Sequence, residues 1–333
     1  MLIDENQRLG GQLVKQTHRF FGSSEHGAGK RGTKIAEDMV AEIKNLKNVE
    51  TLLEATVIGI YEGKVLGVMK RDEFIRLNAK RIIVATGAYE KTLIFENNDL
   101  PGVYGAGGAQ TLMNVYGVSP GATTLMIGAG NVGLIVSYQL IQAGTRVQAV
   151  VEALPNIGGY MVHAAKLRRL GVPILTSHTV KKALGKKRVE GARIVQLDEQ
   201  WNEVEGTERD MPCDFICVSV GLKPTFELLH QAGCNLQYIS ELGGHAPLHN
   251  QYMETTVKGI YVAGDVSGIE EASTAIMEGR VAGISAVLSL KEGDEKAKRI
   301  REEALDQLQG MRSSPFGERV RNGLEKILIK EVV

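Results

Sequence analysis

Disulfides, membrane spans and an excess of basic charge are all missing from this sequence. Three cysteines (Cys213, Cys217 and Cys234) are too few, and odd in number, for a disulfide scaffold, so a reducing, cytoplasmic setting is expected. Lys plus Arg and Asp plus Glu both total 39, so the net charge is zero. That balance lacks the basic excess needed for sequence-independent binding to nucleic acid. No apolar run reaches spanning length, so neither a transmembrane helix nor a membrane partner is expected. The start Met1-Leu2-Ile3-Asp4-Glu5 has no basic stretch leading into an apolar one, so no signal peptide is expected. The 7 histidines show no ligand spacing with the cysteines, and no metal site is expected. Proline is scarce at 8 and aromatics make up 5%, yet 43% hydrophobic and 23% charged residues is ordinary for a globular protein. At 333 residues the chain suffices for two or three domains.

Glycine is what this sequence has in excess: 39 of 333 residues. That is about 12%, against a typical ~7%, and it implies tight turns and close backbone approaches. The glycines punctuate alternating strands and helices. Helical spacing is read over Ile35–Leu46, Val132–Ala143, Met161–Leu170 and Glu270–Leu290. Buried strands are read at Arg81–Ala85, Thr124–Ile127, Thr145–Val151, Phe215–Val220 and Ile260–Ala263. Val49 to Leu77 reads as short strands with turns at Gly59, Gly63 and Gly67, and Leu100-Pro101-Gly102-Val103 as a domain crossover. The tail from Lys291 is charge-rich, with helical spacing at Ile327 and Leu328 but little core signal. Such alternation argues for parallel α/β sheets.

Gly128-Ala129-Gly130-Asn131-Val132-Gly133 is a G-x-G-x-x-G that follows a buried strand and opens an apolar helix, the context a dinucleotide turn requires. Gly128 allows the tight turn, Gly130 the approach of a pyrophosphate, and Gly133 close helix–strand packing; Asn131 opens the helix whose N-terminus faces the phosphates. Glu152 stands nineteen positions after Gly133 at the end of the next strand. A carboxylate there accepts hydrogen bonds from a ribose 2′-hydroxyl and repels a 2′-phosphate, which favours NAD over NADP. Two further glycine sites close strands, Ala85-Thr86-Gly87 and Ala263-Gly264-Asp265. There Thr86, Gly87, Gly264 and Asp265 would let a ligand lie against the sheet edge, with Asp265 bonding a ribityl hydroxyl or a phosphate-bound water. His18 and Arg19 are softer candidates for polarising a substrate or pairing with a carboxylate, while His245 and His249 read as solvated turn residues.

The order of A-T-G (Ala85–Gly87), G-x-G-x-x-G and Y-V-A-G-D (Tyr261–Asp265) resembles the flavoproteins with two dinucleotide-binding domains, the pyridine nucleotide-disulfide oxidoreductase superfamily. The resemblance runs from about Leu2 to about Leu290. The stretch Gln16-Thr17-His18-Arg19-Phe20-Phe21-Gly22 is most similar to the group of sarcosine oxidase α-subunits, amino-acid dehydrogenases and hydrogen cyanide synthase. It implies an α/β fold of two Rossmann-like domains: an FAD domain over 1–104 and 253–300, an NAD domain over 105–252 inserted in it, and a helical tail over 301–333. By the match Asp4 or Glu5 binds the adenosine ribose, Gly11 and Gln12 pass beside the FAD, and the Val57 backbone reads the adenine.

Two departures stand out. The family's FAD domain opens with a strand and its own G-x-G-x-x-G, and Met1 falls after both. The start is therefore misassigned, the chain trimmed, or that half lost; as it stands, FAD is expected to be held weakly. The disulfide reductases also carry a C-x-x-C, and no C-x-x-C occurs here. The resemblance thus implies an FAD-dependent, NAD-linked oxidoreductase without a redox disulfide. It would act on a small-molecule substrate or with a partner subunit of an amine, amino-acid or polyol oxidising system, as a homo- or hetero-oligomer. The alternative is a non-catalytic nucleotide-binding subunit, or an incomplete gene product, that has lost FAD.

Overall fold

The structure is a computed structural model that describes residues 1–20, 27–291, 293–314 and 317–329. Phe21 and Gly22, at the end of the Gln16–Gly22 stretch, lie outside them. The helices used below are α1 (Gly32–Lys44), α2 (Ala106–Tyr116), α3 (Asn131–Gln142), α4 (Met161–Arg169), α5 (Glu227–Gln231), α6 (Ala272–Leu288), α7 (Glu295–Arg312) and α8 (Glu318–Ile327).

Two compact units share the chain. The first comprises Met1–Leu9, Lys44–Tyr89 and Leu222–Val333; the second comprises Gly10–Ile43 and Glu90–Gly221. These bounds differ from the domain limits expected at 104/105 and 252/253. Val103–Gly105 hydrogen-bonds to Phe215–Val218 and so belongs to the second unit's sheet, while α5 packs on the strand Thr56–Tyr61 of the first.

The second unit is built on a five-stranded parallel sheet in the order Ile174–Leu175, Arg146–Val151, Thr123–Ile127, Phe215–Val218, Val103–Gly105. Its strands are apolar on both faces, as a covered parallel sheet requires. Successive side chains alternate sides. Met126, Phe215 and Cys217 pack with Leu134 and Leu140 of α3 and Leu167 of α4. Leu125, Ile127, Ile216 and Val218 pack on Val180, Ala192 and Ile194 of an antiparallel meander, His178–Leu184, Gly191–Gln196 and Arg209–Met211.

The first unit contains two parallel pairs, Leu2–Ile3 with Thr51–Leu52 and Ile82–Val84 with Ile260–Val262, which among the described residues form separate sheets. Tyr261, Met277, Val281 and Leu308 belong to one core between the second pair and helices α6 and α7. A three-stranded antiparallel sheet (Thr56–Tyr61, Val65–Lys70, Glu73–Asn78) completes that core.

Several expectations need correction. Gly59 and Gly67 are not turns but cross-strand partners, and an added Cβ at Gly59 would meet the Tyr61 ring at 2.8 Å. The tail is core-forming: Leu308 and Ala304 of α7 pack under α6, and Leu324 and Ile327 of α8 pack with Leu242. His249 is buried, 3% exposed, with Nδ1 2.9 Å from the Asn250 carbonyl, whereas His245 is exposed as expected.

Leu308 is 3% exposed. Leu308→Ala should cost about 2–5 kcal/mol through lost burial and the cavity left behind. Urea unfolding checks this, and an unchanged midpoint would mean that α7 does not carry core packing.

Candidate functional site

The strand Thr123–Ile127 runs into Gly128 at φ +106°, where an added Cβ would lie 2.1 Å from the Ser219 carbonyl oxygen. A Cβ on Gly133 would lie 2.2 Å from the Gly128 carbonyl oxygen, so this helix turn must press against the strand end. Gly130, the N-cap of α3, instead has nothing within 4 Å of its Cβ position. The three glycines thus divide into two that are packed and one that faces open space. The amides of Asn131, Val132 and Gly133 lie in the first turn, where no helical acceptor exists for them.

Glu152 is 9% exposed and its carboxylate is fastened across this turn. It accepts from the Ala129 amide at 2.7 Å and from the Leu154 amide at 3.0 Å. A second glycine pair, missed in the sequence, packs here as well. Gly159 donates to the Ala129 carbonyl at 2.9 Å, and the Asn131 side chain accepts from the Tyr160 amide at 2.8 Å. The Asn131 side chain therefore orders the neighbouring loop. The signal for this was Gly158-Gly159 itself, six residues beyond Glu152.

Elsewhere in the second unit, Gly11 sits at φ +51° and Gln12 is exposed, both on a 3-10 turn over Gly11–Lys15. Lys15, at its end, lies 3.4 Å from both the Gly107 carbonyl and the Thr111 hydroxyl, and burial lowers its pKa against the pull of Glu90. The Glu90 carboxylate accepts from the amides of Gly107 (2.7 Å) and Gly108 (3.2 Å), a cap on α2 that also leaves no room for a Cβ on Gly105. Gly27-Ala28-Gly29-Lys30-Arg31-Gly32 also has G-x-G-x-x-G spacing, but it pairs antiparallel with Phe20, so its glycines serve a turn. His18 does not pair with a carboxylate: burial, then His163 and Lys166, push its pKa down to about 4. Arg19 donates to the Gly29 carbonyl at 2.6 Å.

In the first unit, Val84 and Val262 are register partners, so Thr86-Gly87 and Gly264-Asp265 leave the carboxyl ends of adjacent parallel strands. Gly87 and Gly264 have φ +71° and +78°, where other residues are strained. The Thr86 hydroxyl donates to the Thr225 carbonyl at 2.8 Å. Val57 lies in the antiparallel sheet opposite Val68, Glu5 is exposed, and the Asp4 carboxylate accepts from the Asn6 amide at 2.9 Å.

Beneath the Gly264 turn lies a charged cluster that the sequence did not reveal. The Glu278 carboxylate accepts from the Gly264 amide at 2.7 Å and the Ser267 hydroxyl at 2.8 Å. Its other oxygen meets Arg312 of α7 at 2.5 Å, and Arg312 also grips Glu270. Burial raises both glutamates against the pull of Arg312. Asp265 is pushed up to about 6, by burial first, with Glu278, Glu270 and Glu271 adding to it against a backbone hydrogen bond from Glu270.

The three cysteines are buried and free, and burial pushes the Cys213 and Cys217 thiols up to about 12. Among the described residues no helix is long and apolar enough to cross a membrane.

A parallel sheet that ends in a glycine turn on a helix N-terminus defines a dinucleotide-binding α/β class. Over residues 1–279 the chain matches the pyridine nucleotide-disulphide oxidoreductase family, and it belongs to that family. It is similar to an opine oxidase subunit of Agrobacterium tumefaciens (strain Ach5), 27% identical over 312 residues, which is 87% of this chain and 61% of that protein. It is also similar to the alpha subunit of sarcosine oxidase from Rhizobium meliloti (strain 1021), 31% identical over 172 residues, 47% of this chain and 17% of that one. Among solved structures, L-proline dehydrogenase from P. horikoshii matches with a TM-score of 0.66 at 25% identity, covering 92% of this chain and 53% of that one. The chain spans less than two thirds of the length of each of these proteins. Membership of this family, together with its solved neighbours, supports FAD and NAD(P) as the cofactors.

The raised pKa of Asp265 has a consequence for stability. An unfolded aspartate titrates near 4, so the folded state, at about 6, binds the proton more tightly. Stability should therefore fall as pH rises from about 4 to about 6 and stay lowered above, by roughly 3 kcal/mol. Asp265→Asn should remove this fall and stabilise the FAD-free protein at pH 7. Urea midpoints from pH 4 to 7 that match wild type would refute it.

Proposed function

We propose that this chain is an FAD-binding, NAD-linked subunit that passes hydride between nicotinamide and flavin, with no dithiol in the route. It would serve a system that oxidises an amine, amino acid or polyol. One observation carries the reading: each unit places a glycine turn at the carboxyl end of parallel strands, with a buried carboxylate bonded to a turn amide. In the second unit Gly130 leaves room for a pyrophosphate, the first-turn amides of α3 face it, and Glu152 accepts from the ribose. In the first unit Gly87 and Gly264 let the flavin nucleotide lie against the strand ends, with Asp265 toward its ribityl or phosphate groups. Asp4, Glu5 and Val57, in the same unit, serve the adenosine half. The bound flavin and nicotinamide supply the two-electron chemistry; the protein binds and orients them. Buried, protonated thiols support leaving cysteine out. The naming of relatives as oxidase subunits supports a partner chain here.

A second reading, a nucleotide-binding subunit without FAD, is favoured by one fact. The first unit holds no G-x-G-x-x-G, so it offers no helix-capping glycine turn to an FAD pyrophosphate. Hydrogen bonds to charged groups are worth roughly 1.5–3 kcal/mol each, so lacking two or three weakens FAD by several orders of magnitude. The purified 333-residue chain should lose FAD on dialysis and regain the yellow flavin band only with added FAD or a partner chain. Stoichiometric FAD retained by the isolated monomer would contradict this weakness; no flavin binding at any concentration would favour the second reading.

Glu152 should set coenzyme choice. Glu152→Ala should weaken NAD by about tenfold, the loss of one charge-assisted hydrogen bond, and narrow the preference over NADP. Tighter binding of NADP than NAD by the unmodified chain would overturn the assignment.

A further inference from the structure

In the first unit a cleft of about 240 Å³ lies among α6, α7 and the strand Ile260–Val262, lined by Asn250, Tyr252, Glu254, Ser285 and Arg301 among others. Ser285 and Arg301 each present a buried polar atom with no hydrogen-bond partner, the Ser285 hydroxyl and Arg301 Nε. Ser285 is 4% exposed. Arg301 lies over the Tyr252 ring, its guanidinium carbon 3.6 Å from the ring centre. Among the described residues its one ion pair is a 3.4 Å contact from Nη2 to the adjacent, exposed Glu302.

Several acceptors in the wall are already engaged. Glu254 Oε1 accepts from the Gly259 amide at 2.7 Å, and Asn250 Oδ1 accepts from the Tyr252 and Glu254 amides at 3.0 Å. The Ser289 hydroxyl accepts from Arg81 Nε at 2.6 Å and donates to the Ala286 carbonyl at 2.7 Å. What is left over is a guanidinium N–H, held over the Tyr252 ring, and a hydroxyl that can donate. Buried polar groups without partners are costly and rare. A planar guanidinium and a hydroxyl that line one cleft together match a carboxylate or phosphate.

We infer that this cleft is a binding site for a small oxyanion, a carboxylate or inorganic phosphate, held by Arg301 and Ser285. Ser285 lies near the C-terminal end of α6, two turns beyond the Glu278 that serves the Gly264 turn, so this site is separate from the dinucleotide positions.

Thermal unfolding of the full chain, with FAD and NAD saturating so that their phosphate positions are filled, tests the inference. Sodium phosphate and sodium acetate are titrated against sodium chloride at constant ionic strength. A saturable rise in Tm with phosphate, acetate or both, beyond that of chloride, is expected; which anion gives it separates a phosphate ligand from a carboxylate. Ser285→Ala and Arg301→Gln should each raise the half-saturating concentration about tenfold or more. Ser285→Ala removes a hydroxyl without a partner and should melt as wild type in chloride, so loss of binding is distinguishable from loss of fold. No saturable rise with either anion, or a rise unaltered in both variants, would overturn the inference.

Discussion

Carboxylates that accept hydrogen bonds from the backbone amides of glycine-rich turns, buried at Glu152 and Glu278 and more open at Glu90 and Asp214, hold both units in shape. Glu152 takes the Ala129 amide, Glu278 the Gly264 amide, and Glu90 the Gly107 and Gly108 amides. Asp214 does the same for Ala122 and Thr123 where the central strand begins, at 2.8 Å each. A turn leaving a parallel sheet carries N–H groups that no ladder partner can reach, and a buried unpaired amide is costly. A carboxylate with two oxygens satisfies two such donors and makes the stronger, charge-assisted kind of bond. The glycines can then adopt the conformations that bring backbone close to a ligand, because the carboxylate fixes what the missing side chain leaves loose.

This arrangement divides labour among the amides. At the second unit's turn the Ala129 amide is consumed by Glu152, while those of Asn131 to Gly133 stay at the open end of α3. A negative side chain therefore lies beside the turn and not over the helix N-terminus, where an anionic pyrophosphate would be drawn by the helix dipole. On the functional reading proposed here, one carboxylate orders the turn and presents its remaining acceptor capacity to a neutral hydroxyl.

The sequence made the strand–turn–helix of Thr123 to Gln142 legible because three signals agreed there: a buried apolar run, fixed glycine spacing and an acidic residue at the right distance. The neighbouring strands Ile82–Val84 and Ile260–Val262 were legible for the same reason, as short apolar runs closed by glycine. Helix α2 was not: three glycines, Gly105, Gly107 and Gly108, crowd its start, and the Glu90 carboxylate that caps it stands seventeen residues before Gly107. Charged residues were least legible. Glu270 and Glu278 fall in the stretch read as a helix and Arg312 in the charge-rich tail, and only their convergence in space makes them partners. Gly59 and Gly67 misled in the opposite direction, since close approach of the Tyr61 and Phe74 rings, not a turn, requires them.

The same cluster shows why the tail belongs to the site. The family match ends at residue 279, yet Arg312, on α7, compensates Glu278 just inside that limit. Glu278 is 2% exposed, and a buried carboxylate without its cation is strongly destabilising. Two buried glutamates share this one guanidinium while Asp265 stays close by, so the cluster carries more negative charge than Arg312 neutralises. That surplus adds to burial in keeping the Asp265 proton on to unusually high pH. A fold optimised for stability alone would replace it with apolar packing. On the functional reading proposed here, that cost falls at a strand end where the Gly264-Asp265 turn lies against a ligand, as perturbed carboxylates often do.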